Sequence, residues 1–231
     1  MNYKKKLVSV VMSVYNDELT IEKSIESIIN QTYKELELLI LDDASSDESL
    51  KIINKYKNKY NFIRVFKNQK NIGLTYSLNK LINASQGEYV ARQDSDDVSR
   101  PNRLMEQILT VENNNLDFCS SRAVVINSDK KIPGISYYLP TKQVMRIKNP
   151  FIHGTLFIKR RVLDEIGLYD EQFYYAQDYK LMRDLIERKY KYKIINKPLY
   201  ELNMKNNIST IKREEQAYFA NLVRKNRKPK I

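Results

Sequence analysis

The amino-acid sequence predicts an α/β protein with a Rossmann-like, mostly parallel sheet flanked by helices, followed by a mixed second half. Two observations predict this class. In residues 1–99, short apolar runs rich in β-branched residues alternate with stretches in which apolar residues recur at helical spacing. Such alternation is typical of βαβ units, which build a parallel sheet covered on both faces. After residue 100 the alternation weakens, so we do not expect the second half to be doubly wound.

Four apolar runs predict the strands of the first half, at residues 7–14, 36–41, 63–66 and 89–93. Helices are predicted between them, because isoleucine and leucine recur there every three or four residues. The first helix begins near Ile21, the second ends near residue 60, and the third begins at Leu74 and ends near residue 85. Ser45 and Glu48 stand at capping-box spacing before the second helix.

The second half combines helices with strand-like pieces. Strand-like runs lie at residues 118–126, 152–158 and 192–195, and helical patterns at residues 102–113, 161–166 and 177–188. Residues 127–149 are polar and contain two prolines and a glycine. This is the composition of a loop that orders over a ligand.

The length of 231 residues and the hydrophobic fraction of 42% are sufficient for one large domain. We expect this domain over residues 1–211, with halves at 1–99 and 100–211, and a basic C-terminal helix or tail over residues 212–231. No apolar run approaches the length of a membrane span. A secretory signal peptide is not expected, because the short apolar run near the N-terminus meets polar residues without a cleavage site.

A formal net charge of +12 predicts anionic partners, such as nucleic acid, anionic lipid headgroups or sugar nucleotides. The basic residues are spread along the chain, and no zinc-finger or RNP-type motif is present, so nucleic acid is not expected. The single cysteine, Cys119, excludes internal disulfides and has apolar neighbours, which predicts a buried structural thiol. This usage suits a reducing cytoplasm, where we expect the protein.

Polar residues follow three of the predicted strands at the point where each strand ends. They are Tyr15-Asn16-Asp17, Asp42-Asp43 and Asp94-Ser95-Asp96-Asp97. In parallel sheets, ligands bind beyond the carboxyl ends of the strands, so these residues are expected along one edge of the molecule.

Asp94 and Asp96 are the strongest candidates for a metal site. In extended backbone, residues two apart point the same way, so both carboxylates can reach one cation while Ser95 points elsewhere. Mg²⁺ or Mn²⁺ is the expected ion, because hard cations prefer carboxylate oxygen and keep substrate phosphate as a further ligand. The alternative is a solvated acidic turn.

Over residues 7–202 the chain resembles the family 2 glycosyltransferases, which have the GT-A fold. The resemblance rests on five motifs in order: VVMSVYN at 10–16, LDDASSD at 41–47, NIGL at 71–74, GEYVARQDSDD at 87–97 and AQDY at 176–179. It implies an inverting transferase that moves a sugar from a nucleotide diphosphate. Residues 1–99 would be the nucleotide-binding half and residues 100–211 the acceptor-side half. The chain departs from the family pattern at Ala44, where glycine is common, and at Gln177, where glutamate is common.

The resemblance also implies roles for individual residues. Ser13, Tyr15, Asp42 and Asp43 would hold the nucleoside, and Asp94 to Asp96 would be the DxD element. A carboxylate of the Asp42-Asp43 pair can accept the N–H of uracil, and Tyr15 can pack on its ring, so UDP is the expected nucleotide. Asp43 instead has the alternative of forming a cap or a turn.

Asp178 would be the base that takes the proton of the acceptor hydroxyl, an effect of roughly a hundredfold to ten-thousandfold. Its alternative role is to cap the helix that follows it. Arg92 would contact a donor phosphate or stack on a tyrosine of the protein. His153, the only histidine, is either a hydrogen-bonded core residue or, by the resemblance, a contact to the metal or the diphosphate.

Two other functions fit parts of the sequence. A phosphotransferase of the haloacid dehalogenase type also uses a DxD motif, but places it after the first strand and not after the fourth. A basic module binding nucleic acid or membrane would use the net charge directly. For the transferase, we expect a glycan or lipid-linked saccharide acceptor, as in surface polysaccharide synthesis. Residues 212–231, with Tyr218, Phe219 and Leu222 as an apolar face, are expected to dock at an anionic inner membrane surface.

Overall fold

Nine strands form one sheet within residues 3–204 and 212–229, the part of the chain that the computed structural model describes. In chain order the strands are β1 (Lys4–Val14), β2 (Leu36–Asp42), β3 (Ile63–Lys67), β4 (Gly87–Arg92), β5 (Val98–Ser99), β6 (Phe118–Val125), β7 (Lys131–Ile132), β8 (Phe157–Lys159) and β9 (Tyr192–Leu202). Their order across the sheet is β3-β2-β1-β4-β8-β6-β9-β5, and β7 pairs with β6.

Helices connect these strands and cover the sheet. In chain order the α-helices are α1 (Ile21–Ile29), α2 (Ser49–Lys59), α3 (Leu74–Ala84), α4 (Arg103–Asn113), α5 (Thr141–Val144), α6 (Arg160–Ile166), α7 (Gln177–Glu187) and α8 (Arg213–Arg224). Short 3-10 turns lie at Ile135–Tyr138 and His153–Thr155.

The first four strands are parallel, and β2, β4 and β1 from Val8 onward are buried on both faces, whereas the edge strand β3 is half-buried. β1 lies between β2 and β4, and β3 extends the sheet beside β2. Alternate side chains enter two separate apolar layers, with Val11 and Leu39 in one and Val10 and Leu38 in the other. Because both faces are buried, the strands need continuous apolar runs, which is the pattern the sequence shows. The predicted parallel half is confirmed.

Beyond β4 the sheet becomes mixed, as predicted. β8 is antiparallel to β4 and to β6, whereas β6 and β9 are parallel. The strand predicted at residues 152–158 is limited to Phe157–Lys159, because His153–Thr155 forms a 3-10 turn before it. β9 is longer than the predicted strand and reaches Leu202, where it also pairs with the two-residue strand β5.

The predicted capping box is wrong. α2 begins at Ser49 with Glu48 at its N-cap position, and the hydroxyl of Ser45 accepts a hydrogen bond from the backbone N–H of Asn16. The N–H of Ser49 is bound by the carboxylate of Asp47. Ser45 therefore connects two loops at the sheet edge.

The C-terminal helix α8 packs on the domain. Val223 is buried, Phe219 lies 6.1 Å from the ring of Phe173, and Leu222 packs against the same apolar layer. Tyr218 remains exposed. The predicted boundary at residue 211 and the end of the predicted tail, residues 230–231, lie outside the described residues. Among the residues described, no helix has the length and apolar character of a membrane span.

Candidate functional site

The loops that follow β1, β2 and β4 meet at one edge of the sheet. The N–H of Asn16 donates to the Ser45 hydroxyl at 3.0 Å, and the Asn16 side chain accepts from the N–H of Ser46 at 2.8 Å. The Ser95 hydroxyl donates to the carboxylate of Asp17. The convergence that the strand ends predict is therefore observed, and hydrogen bonds between the loops hold it.

Ser13, Tyr15 and Asp42 lie at this edge. Ser13 is half-buried at the end of β1, and Tyr15, which follows the strand, is 50% exposed. Asp42 is buried, and its Oδ2 accepts from the N–H of Ser45 at 3.3 Å. Its Oδ1 is also buried and accepts no hydrogen bond within the described residues. A buried acceptor without a donor is costly, so Oδ1 is an atom that a ligand N–H can satisfy.

Asp43 orders the turn before α3. Its carboxylate accepts from the Asn68 amide at 2.7 Å, the Ile72 N–H at 3.0 Å and the Gly73 N–H at 2.8 Å. Gly73 has φ +88°, in the left-handed region that glycine tolerates, and occupies the N-cap position of α3. The sequence allowed Asp43 either to bind the nucleoside or to form a cap or a turn. In the structure Asp43 forms a turn.

Tyr174 is a residue of this region that the sequence did not single out. A Cβ placed on Gly73 would lie 2.5–2.8 Å from the Tyr174 ring, so the ring rests on the glycine backbone. Burial raises the pKa of the Tyr174 hydroxyl, and the nearby Tyr175, Asp43 and Tyr15 raise it further. Two partly exposed aromatic rings, Tyr15 and Tyr174, therefore lie near the Asp43 turn. Only the aromatic run at 173–175 before the AQDY motif hints at this in sequence.

Asp94 and Asp96 are half-buried, and Ser95 between them is buried and donates to Asp17. The extended backbone expected for these residues is not observed, because β4 ends at Arg92 and a turn follows, in which the Asp97 N–H donates to the Asp94 carbonyl at 3.4 Å. Burial raises the pKa of Asp96 to about 7, and repulsion from Asp94 and Asp17 adds to the increase. Burial and the charges of Asp94 and Asp96 raise the pKa of Asp97 to about 9. Burial and mutual repulsion therefore both disfavour the charged forms of the carboxyl groups in the loop after β4.

Arg92 neutralises part of that charge. Its guanidinium is buried, forms an ion pair with Asp94, and donates to the carbonyl of Val11 at 3.1 Å. The sequence predicted a donor phosphate or a tyrosine ring as the contact of Arg92. Arg92 pairs with Asp94 and fixes the orientation of that carboxylate, whereas the contact to a donor phosphate stays a prediction.

Arg103 contacts the same loop from its buried side. It is fully buried and donates to the carbonyl of Arg92, the amide oxygens of Gln93 and Gln107, and the hydroxyl of Ser99. Burial lowers the pKa of its guanidinium to about 10, so it remains charged at neutral pH. A buried cation with neutral acceptors stabilises nearby carboxylates without an ion pair of its own.

His153 is hydrogen-bonded inside the protein. Its Nε2 lies 2.7 Å from the hydroxyl of Tyr169. Burial and the charge of Arg92 lower its pKa to about 4, whereas Asp178 and Asp94 act in the opposite direction. The ring is therefore neutral at pH 7. These contacts are those of a hydrogen-bonded core residue, which was one of the two roles expected for His153. The contact of His153 to a metal or to the diphosphate stays a prediction.

Asp178 lies in the first turn of α7, but Ala176 occupies the N-cap position with a left-handed φ of 53°. The carboxylate accepts from the side-chain amide of Asn149 at 2.8 Å, and the amide oxygen of Asn149 accepts from the Phe151 N–H at 3.0 Å. Asn149 is thus fixed at both ends and orients Asp178. The sequence placed Asn149 only at the end of a polar loop.

The acidic loop fits a divalent cation that is shared with a substrate. Asp94 and Asp96 offer hard oxygen ligands, and burial together with repulsion from Asp94 and Asp17 raises the pKa of Asp96, a cost that a bound cation would offset. In residues 3–204 and 212–229, no three side chains of His, Cys, Asp or Glu come together as a metal site. A cation here would need ligands from phosphate and water, which is the usual binding mode of Mg²⁺.

Comparison with known proteins identifies glycosyltransferases as relatives of this chain. A model of "Glycosyl transferase family 2" matches residues 9–167. An uncharacterized glycosyltransferase of Methanocaldococcus jannaschii is 34% identical over 224 residues, which cover 91% of this chain and 76% of that protein.

Two solved structures share the fold at low identity. Residues 1–349 of S. aureus TarS in complex with UDP-GlcNAc give a TM-score of 0.78 at 21% identity, covering 94% of this chain and 65% of that one. The mannosyltransferase PcManGT from Pyrobaculum calidifontis, in complex with GDP-Man and Mn²⁺, gives 0.73 at 19% identity, covering 96% and 65%. These similarities support the predicted fold class.

Proposed function

Because the chain belongs to glycosyl transferase family 2, we propose that it is a metal-dependent, inverting enzyme that moves a sugar from a UDP-sugar to an acceptor hydroxyl. The predictions of the family, of the GT-A fold and of a glycosyltransferase are confirmed. The observation that most supports the finer proposal is the position of Asp94 and Asp178. These two residues are far apart in sequence, yet a Cβ on Gly154 would lie 2.6 Å from Oδ2 of Asp94, and the charges of both Asp94 and Asp178 counteract the burial that lowers the pKa of the adjacent His153.

In the proposed reaction, the Asp178 carboxylate accepts the proton of the acceptor hydroxyl. The hydroxyl oxygen forms a bond to the anomeric carbon as the bond from that carbon to the diphosphate oxygen breaks, and UDP leaves with the electron pair. Attack from the face opposite the diphosphate inverts the anomeric centre. Asn149 holds the carboxylate in place through the 2.8 Å hydrogen bond, so the base is oriented before the acceptor arrives.

Asp94 and Asp96 would hold Mg²⁺ or Mn²⁺ together with the donor diphosphate. A cation bound there neutralises charge that develops on the diphosphate as the glycosidic bond breaks. Arg92 orients Asp94 through its ion pair, and Arg103 keeps the loop rigid from the buried side. His153 would lie beside the metal or the diphosphate, and Arg92 would act on the diphosphate through Asp94.

The nucleoside is proposed to bind at the ends of β1 and β2. Tyr15 is exposed enough to pack on a uracil ring, and Ser13 lies beside it for a polar contact. Asp42 Oδ1 is the unsatisfied acceptor of the acidic pair and suits the uracil N–H. Asp43 acts indirectly, by shaping the turn at Gly73 on which Tyr174 rests.

For the acceptor, we propose a glycan or lipid-linked saccharide of the kind from which surface polysaccharides are built. The protein would then work in the cytoplasm, peripherally bound to the inner face of the plasma membrane. The net charge of +12 supports contact with an anionic surface. Nucleic acid remains the less favoured partner, because the basic residues do not gather in one recognition element.

Calorimetric titration with UDP, GDP and ADP, each with and without Mn²⁺ or Mg²⁺, tests this function. UDP should bind most tightly and only with metal, and Asp96→Ala should lower its affinity at least about tenfold, because the variant lacks one metal ligand. Asp129→Ala removes an exposed aspartate outside the site and is the matched control, with unchanged binding expected.

Metal-independent UDP binding that survives in Asp96→Ala would contradict the proposed site. Binding of RNA with a steep salt dependence, without binding of any nucleotide diphosphate, would instead favour the basic-module alternative. Transfer of phosphate to the protein from a phosphate ester would favour the phosphotransferase.

A further inference from the structure

Residues 130–148 expose large apolar side chains outside the core. Ile135 is 84% exposed, Tyr138 71%, Leu139 52% and Ile147 70%. Single exposed apolar residues are ordinary on a protein surface, but several in one short segment indicate a contact with another apolar phase. We call this segment the 130–148 surface.

The segment is firmly attached to the domain, so these side chains are not exposed by a loose loop. Val144 and Met145 are buried, and the Tyr179 hydroxyl donates to the Met145 carbonyl. The Tyr137 ring lies 5.1 Å from the Arg122 guanidinium. Since Ile135 and Tyr138 are three residues apart in a 3-10 turn, they project from the same side of it.

The same surface is strongly basic. It contains Lys130, Lys131, Lys142, Arg146 and Lys148, all exposed, and the sequence has no aspartate or glutamate from residue 130 to 148. The guanidinium of Arg224, at the end of α8, donates to the Ile147 carbonyl at 3.0 Å, which places the basic end of α8 beside it. Apolar side chains surrounded by cations match an anionic bilayer, with its negative headgroups above acyl chains.

The apolar face predicted for residues 212–231 is used differently. Phe219 and Leu222 pack against the core, and only Tyr218 of that predicted face is exposed. Both are half-buried, so inserting them fully into lipid would break their contacts with the core. The 130–148 surface needs no such rearrangement.

We propose that the 130–148 surface docks the protein on an anionic lipid bilayer, with Ile135, Tyr138, Leu139 and Ile147 entering the interface. The proposal rests on the proposed function and extends it to the acceptor. Lys148 is followed by Asn149, which donates to Asp178, so docking here brings the proposed base close to the membrane. An acceptor whose lipid anchor lies in that membrane would present its sugar hydroxyl to Asp178.

Cosedimentation with vesicles of phosphatidylcholine, with and without phosphatidylglycerol, tests the surface. One variant combines Ile135→Ser, Tyr138→Ser and Leu139→Ser, and a second combines Lys142→Gln, Arg146→Gln and Lys148→Gln. The parent should bind only vesicles that contain phosphatidylglycerol. Each variant should lower the partition coefficient at least about tenfold, because each basic residue near the surface and each buried apolar group adds to binding.

Matched controls distinguish binding through this surface from binding caused by the overall net charge or by any exposed apolar side chain. Leu109→Ser removes an exposed leucine of α4, and Lys23→Gln with Lys57→Gln and Lys59→Gln removes three exposed lysines of α1 and α2. Both controls should keep at least half of the parent's binding. UDP titration of every variant should give the parent affinity, which separates loss of docking from failure of the nucleotide site.

Three outcomes would overturn the proposal. The parent could fail to bind phosphatidylglycerol vesicles while still binding UDP. The lysine control could reduce binding as much as the 142–148 variant does, which would mean that overall charge is responsible. Finally, sedimentation velocity could show a dimer that the 135–139 variant dissociates, which would assign the surface to a second copy of this chain.

Discussion

The two halves of the protein position their site residues by different means. In the first half, the ends of β1, β2 and β4 are aligned by the register of a parallel sheet, as in the pairs Val14 with Asp42 and Val11 with Arg92. In the second half, the proposed base lies on a helix, and a single side-chain hydrogen bond from Asn149 orients it.

This difference predicts how the two halves respond to substitution. A residue aligned by the backbone hydrogen bonds of a sheet stays in position when a neighbouring side chain changes. A carboxylate oriented by one amide depends on that amide and on its own loop. Substitutions at Asp178 or at Asn149, which orients it, should therefore affect the chemical step while the nucleotide site remains intact.

Asp178→Asn is the largest expected effect and tests this separation. The amide cannot accept the proton of the acceptor hydroxyl, so kcat should fall by about a hundredfold to ten-thousandfold. The affinity for UDP with Mn²⁺, measured by calorimetry, should stay within about twofold of the parent, because Asp178 lies outside the first half.

The matched substitution Asp129→Asn, at an exposed position, should leave both quantities unchanged. An Asp178→Asn protein that turns over normally would remove Asp178 from the mechanism. One that loses UDP binding in proportion to kcat would show that the two halves are not separable in this way.

Gly154→Ala addresses the place where the halves meet. A Cβ at residue 154 would lie 2.5 Å from the hydroxyl of Tyr200 and 2.6 Å from Oδ2 of Asp94. Tyr200 is fully buried and accepts a hydrogen bond from the N–H of Asp94, so Asp94 is the side chain that must move. We expect at least about a tenfold loss of metal-dependent UDP affinity, consistent with the cost of overpacking.

Gly134→Ala is the control for this prediction, because a Cβ there lies no closer than 3.9 Å to its nearest neighbour. It should bind UDP as the parent does. Normal UDP affinity in Gly154→Ala would show that Asp94 tolerates displacement, and the contact between the halves would then be unimportant for the donor.

The contrast between the halves also explains what could be read from the sequence. The strands of the first half and the edge where they end were predictable, because short apolar runs that alternate with helical spacing determine them. The extended backbone expected for Asp94, Ser95 and Asp96 was not, because β4 ends at Arg92 and a turn follows. The family resemblance added Asp178, which no local pattern marks as a base.

The remaining features depend on contacts between distant residues. Nothing local connects Asn149 with Asp178, or Tyr174 with Gly73. The capping-box prediction at Ser45 failed for the same reason, since Asn16 of another loop binds that hydroxyl. The sequence correctly predicts an apolar face on α8. It does not specify that this face packs on the protein's own core.

Asp96→Asn gives the smallest expected effect and tests whether the first half bears an electrostatic cost for its acidic loop. The pKa of Asp96 is raised to about 7 in the folded protein, so the folded state binds more protons than the unfolded state between about pH 4 and pH 7. The stability that this group contributes is therefore present at low pH and is lost as the pH rises through that range. In chelator at pH 8, Asp96→Asn should melt about 2–4 °C above the parent, and the difference should vanish near pH 4.

Asp97, whose pKa is raised to about 9, makes both proteins less stable as the pH rises, so only the difference between them reports on Asp96. Asp129→Asn should melt with the parent at every pH. A variant that melts below the parent at pH 8 would show that Asp96 stabilises the fold, and the excess negative charge in the first half would then have no measurable cost.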